Sequence, residues 1–69
     1  MIKIELNEIL KERNMTAKEL SEIINLTEAN LSILRSGKAK AIRFSTLEAI
    51  CKALSCNPGD ILKYVEGEE

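Results

Sequence analysis

Arg35, Lys38, Lys40 and Arg43 lie in a stretch without acid: from Ala29 to Leu47 there is neither Asp nor Glu. Four cations with no local neutralisation suit contact with a polyanion. Just upstream is Thr27, whose hydroxyl can accept an N–H at a helix start, followed by Glu28, whose charge suits a helix N-terminus. A helix starting there buries Leu31 and Leu34 and leaves Glu28, Ala29, Ser32 and Ile33 on its other side. Small and polar side chains near a helix N-terminus can approach base edges in a major groove. Other chemistry is poorly supplied. The chain has no His, and its two cysteines, Cys51 and Cys56, are spaced C-x4-C. A zinc site needs about four ligands, so these read as small apolar residues and free thiols. No nucleophile–base pair and no phosphate loop is present, so an enzyme is not expected. No metal or cofactor site and no small-molecule ligand is evident.

The elements that position these residues follow from capping and periodicity. Ile2-Lys3-Ile4 alternates and suggests a short extended arm. Leu6, Ile9 and Leu10 take helical spacing, and Asn14 can end a helix in the left-handed conformation; the first helix is expected over 5–13. Thr16 and Glu19 form a capping box, with Met15 and Leu20 as its apolar staple, opening a second helix over 17–24. Leu26 fills the turn, and a third helix runs over 28–36 to Gly37 at its C′ position. Phe44, Ser45 and Glu48 read as a second capping box before a fourth helix over 46–54, lined by Leu47, Ile50, Cys51 and Leu54. Asn57-Pro58 opens a fifth helix over 58–63. Asn57 and Asp60 read as helix-start chemistry, and Tyr64-Val65 as extended.

A chain of 69 residues, 45% hydrophobic but only 3% aromatic, must build an aliphatic core. A domain this small buries only about 60% of its unfolded surface, so compact helix packing or a partner must help. The expectation is an all-α, five-helix domain over 1–65 with short extended terminal segments and an acidic, flexible tail over 66–69. The helix-turn-helix unit spans 16–36. Net charge is -1, yet Glu66, Glu68 and Glu69 alone carry three negative charges, so the remainder is net positive. No stretch has the apolar core of a signal peptide or approaches a membrane span, which points to the cytoplasm.

The run MTAKELSEIINLTEANLSILRSGKAKAIRFSTLEAICKALSCNPGDIL resembles the lambda-type repressor and Cro family, also called the XRE type, along nearly its whole length. The shared positions are Leu20, Leu31, Leu34, Gly37, Phe44, Leu47 and Leu54. The Gly-Lys-…-Arg-Phe stretch before a Leu-rich helix is the more specific part. The resemblance implies a lambda-repressor-like fold that binds double-stranded DNA as a small transcriptional regulator, most often a repressor. It places Ala17 near the DNA backbone and Thr27 on a phosphate. Glu28, Ala29, Ser32 and Ile33 meet base edges, and Lys38, Lys40 and Arg43 meet phosphates. Members often pair an Arg in the first helix with a Glu late in the third. Here Leu10 and Arg35 stand at those positions, so an apolar contact at Leu10 and an Arg35 released to the basic surface are expected.

Several residues keep two readings. Glu28 either accepts from a cytosine amino group or serves only its helix dipole. Ile33 is a thymine contact or a piece of partner-protein surface. Lys38, Lys40 and Arg43 bind phosphates or form a solvated loop. Lys3, Lys11, Arg13 and Lys18 read as solvated helix faces, with a phosphate contact as the alternative for Lys18. Ala17, Glu28 and Ala29 are weak base readers, so discrimination per half-site is expected to be modest. A homodimer either uses the exposed ends, Ile2-Lys3-Ile4 and Tyr64-Val65, or forms only on DNA; the two alternating ends pair either with each other or across a two-fold axis. The competing function is a protein-interaction module, an antirepressor or an antitoxin.

Overall fold

The computed structural model describes residues 1–66. The chain runs β1 (Ile2–Ile4), α1 (Leu6–Glu12), α2 (Ala17–Ile23), α3 (Glu28–Ser36), α4 (Phe44–Leu54), α5 (Pro58–Ile61) and β2 (Leu62–Tyr64). The strands pair antiparallel, with Ile2 opposite Tyr64, Lys3 opposite Lys63 and Ile4 opposite Leu62. Both terminal segments therefore pair within one chain. The Val65 N–H also donates to the Met1 carbonyl at 2.8 Å. Of the expected tail, only Glu66 falls within the described residues; 67–69 lie outside them.

The core is aliphatic. Leu20, Leu31, Ile50 and Ile61 are 0% exposed, and Leu6, Ile9, Leu10, Leu34 and Leu54 complete the cluster. Each helix contributes at least one of these residues. Burying one such side chain contributes about 1.5–3 kcal/mol. Met15, Leu26 and Leu47 pack against the cluster from its edge. Ser21 is the one buried polar residue among those described, and its hydroxyl donates to the Lys18 carbonyl at 2.7 Å.

Short helices have most of their backbone groups in an end turn, where intrahelical partners are missing. At the start of α2 the box forms as expected: Thr16 Oγ1 accepts from the Glu19 N–H at 3.1 Å, and Glu19 Oε1 accepts from the Thr16 N–H at 2.9 Å. Three C-terminal ends share another device. Asn14, Asn25 and Ser55 take φ of 57°, 57° and 52°, in the left-handed region. The following N–H then reaches back: Met15 to the Leu10 carbonyl, Leu26 to Ser21, and Cys56 to Cys51, at 3.0, 3.0 and 3.1 Å. These are Schellman closures, which bring the returning side chain onto the last turn. Helix α3 ends instead on Gly37 at φ 80°.

Three expectations need correction. Helix α4 starts at Phe44, with Arg43 extended at its N-cap (φ -74°, ψ 144°) and no side-chain cap. Ser45 is thus already helical and cannot cap with Glu48. Helix α5 stops at Ile61, because Leu62 turns extended to pair with Ile4. Arg13 is exposed, as expected of a solvated face, but it is not free: its Nε donates to the Leu54 carbonyl at 2.7 Å, placing a cation on the α4 C-terminus. Asp60 does close a helix start, its carboxylate accepting from the Asn57 N–H at 2.9 Å.

A left-handed conformation costs a residue with a Cβ roughly 1–2 kcal/mol. Ser55→Gly is therefore expected to stabilise the fold by roughly 0.5–1 kcal/mol, measured by urea denaturation. Unchanged or lower stability would count against strain at this corner.

Candidate nucleic-acid interface

Helices α2 and α3 form the helix-turn-helix. Ala17 is half-buried against the core at the start of α2, while Lys18 beside it is exposed. The turn is held by the Leu26 N–H on the Ser21 carbonyl and by the inward Leu26 side chain. Thr27 then caps α3, its Oγ1 accepting from the Asn30 N–H at 3.1 Å. The Thr27 side chain is exposed at the tip of the helix, where free N–H groups favour an anion.

With Leu31 and Leu34 buried, Glu28, Ala29, Ser32 and Ile33 all lie on the exposed side of α3, as the spacing predicted. Ile33 is 49% exposed. The sequence reading passed over Asn30, which is also exposed on this helix. Its side chain type can bond adenine in bidentate fashion, a stronger reader than its neighbours. Spacing gave no clear signal for it: Asn30 lies one turn before the buried Leu34, at the edge of the buried face.

Lys38, Lys40 and Arg43 are exposed on the segment between α3 and α4. Ala39 and Ile42 alternate with them and pack toward the core, which turns the three cations outward. Arg43 also lines an open groove with Asn30, Ile33 and Thr46, so the basic segment and α3 border one concave surface.

Arg35 departs from expectation. Leu10 does enter the core, but Arg35 is half-buried and its Nε donates to Asn7 Oδ1 at 2.8 Å. The amide of α1 thus holds Arg35 at the α1–α3 junction, instead of leaving it free on the basic surface. No carboxylate salt bridge to Arg35 is present among the described residues. An Asn seven places into the chain gives no sequence signal for this partnership, which spans 28 residues.

Nothing in the arrangement assembles metal ligands: among the described residues no three His, Cys, Asp or Glu side chains cluster suitably. No described helix is long and apolar enough to cross a membrane.

Residues 5–67 match the model of the Cro/C1-type HTH DNA-binding domain. The chain is 61% identical over 66 residues to a Bacillus subtilis (strain 168) protein named as the uncharacterized HTH-type transcriptional regulator YozG, covering 96% of this chain and 79% of that protein. Among solved structures, the transcriptional regulator VanUg superposes with a TM-score of 0.75 at 28% identity, over 93% of this chain and 84% of that one. A Bacteroides fragilis protein superposes with a TM-score of 0.81, over 91% of this chain and all of that one; at 21% identity it attests the fold alone.

Asn7→Ala is expected to free Arg35 and lower stability by about 0.5–1.5 kcal/mol, read as a lower urea midpoint at unchanged slope. No change would mean that the Asn7–Arg35 bond contributes nothing net.

Proposed function

Because the chain belongs to the Cro/C1-type helix-turn-helix DNA-binding domain family, we propose that it is a sequence-specific regulator of transcription, acting as a repressor in the cytoplasm. The observation that carries this reading is the junction of an exposed, Thr27-capped α3 with an outward-facing basic segment free of acids. Helix α3 enters the major groove. Ser32, Ile33, Ala29 and Glu28 meet base edges, joined by Asn30. Thr27 anchors the helix tip to a phosphate, and Lys38, Lys40 and Arg43 meet the flanking phosphates. Lys18 reaches the backbone from the start of α2, next to Ala17. Arg35 serves the interface from behind, bracing α3 against α1 through Asn7.

The regulator works as a homodimer that forms on DNA. Two reading helices roughly 34 Å apart would span one turn of duplex. The terminal strands pair with each other within one chain, and a second exposed surface is the better candidate for pairing. Phe44 is 86% exposed, follows Arg43 directly, and borders a groove lined by Leu47, Cys51, Cys56 and Pro58. A two-fold axis beside this patch lets each ring enter the other copy's groove. A stable dimer hides roughly 800 Å² per partner; one aromatic and a shallow groove supply less, which suits pairing that needs DNA to support it.

The same exposed ring and the net charge of -1 favour a second reading, a protein-interaction module such as an antirepressor or antitoxin. Salt dependence separates the two. Four cationic phosphate contacts per subunit, from Lys18, Lys38, Lys40 and Arg43, imply a roughly 150-fold loss of DNA affinity per subunit between about 50 and 200 mM salt. Selection from random duplexes, followed by fluorescence anisotropy, measures it; no enrichment at low salt would sink the regulator reading. In the same assay Arg43→Ala should weaken all sequences alike, while Ser32→Ala should alter preference at one position. Uniform effects from both would contradict the division between phosphate and base contacts.

Phe44→Glu should leave the fold intact, since the ring is exposed, and should abolish cooperative occupancy of two half-sites. Retained cooperativity in a gel-shift titration would remove the patch from the dimer.

A further inference from the structure

Cys51 and Cys56 occupy the two positions that a Schellman closure brings together. Cys51 lies in the last turn of α4, Ser55 takes the left-handed conformation, and the Cys56 N–H returns to the Cys51 carbonyl at 3.1 Å. At the equivalent ends of α1 and α2 the paired residues are Leu10 with Met15 and Ser21 with Leu26. Only the α4 end places two thiols there. Both are free, half-buried and line the groove beneath Phe44. A bridge needs Cα atoms roughly 4.4–6.8 Å apart with side chains on one side; the backbone hydrogen bond holds the two residues together, and both cysteines line the same groove.

We propose that Cys51 and Cys56 are a dithiol modification site, which takes up a two-electron oxidation as an intrachain disulfide by exchange with a low-molecular-weight disulfide. One thiol loses its proton and attacks the small disulfide, releasing one small thiol and leaving a mixed disulfide. The other cysteine sulfur displaces the second small thiol. Two cysteine S–H bonds are lost, one S–S bond forms, and the oxidant is reduced to two thiols. The surroundings set the pace. Desolvation, then the charge and hydrogen bonding of the Cys51 thiol, then the charge of Asp60 raise the Cys56 pKa, while Arg13 opposes them. Glu48 adds a further acid at the groove. Exchange is therefore slow at neutral pH and quickens as pH rises. Closure ties the end of α4 to the start of α5, so the groove shared with Phe44 changes with redox state.

The test incubates the reduced full-length chain with excess oxidised glutathione at mildly alkaline pH. After blocking with iodoacetamide, the intact mass is measured. The expected product is a monomer lighter by two hydrogens, carrying neither glutathione nor alkyl group, while Cys51→Ser and Cys56→Ser each retain one glutathione. Wild-type chains that keep glutathione, cross-link to one another or remain fully alkylated would overturn the proposal. The wild-type readout decides the matter even if a variant fails to fold.

Discussion

Closing helix ends is the constraint on which this structure depends. Helices α1 and α2 have seven residues each and α5 has four, so nearly all their backbone groups belong to an end turn. Each unpaired buried group would cost about 1–3 kcal/mol, and a chain of 69 residues has little surplus to cover such losses. The solution is local. Thr16 and Thr27 cap two starts, Asn14, Asn25 and Ser55 turn three ends back, and Arg13 covers the end of α4 from another helix. No buried side-chain polar atom is left without a partner among the described residues.

The same closures aim the candidate interface. Asn25 turns α2 so that Leu26 tucks inward and Thr27 emerges at the tip of α3. Leu31 and Leu34 then fix the rotation of α3, leaving its small and polar side outward. Gly37 ends the helix, and the alternation of Ala39 and Ile42 with Lys38, Lys40 and Arg43 directs the cations to solvent. The residues of the proposed interface and those of the core thus interleave in one short segment.

The exposed aromatic has a related origin. Helix α4 begins at Phe44 with no side-chain cap, and the ring is left outside the aliphatic cluster. The Cys51–Cys56 closure sits in the same groove. An uncapped start, a solvent-facing ring and two thiols share this corner.

Much was legible in the residues alone, because capping and periodicity act over three or four positions. The Thr16–Glu19 box, the span of α3, the core leucines and the outward set Glu28, Ala29, Ser32 and Ile33 all follow from spacing. What could not be read involves partners far apart in sequence. Arg13 on the Leu54 carbonyl, Arg35 on Asn7, and Leu62 leaving α5 to pair with Ile4 each join residues more than 25 positions apart. The start of α4 was misplaced for a related reason: Ser45 offered a competent local cap, yet the segment enters the helix at Phe44. By itself the sequence determined five helices, their buried faces and an acid-free basic run, since these depend on neighbours in the chain. The tertiary structure alone decided which cations are free and which are tied, because that depends on which carbonyls and amides packing brings within reach.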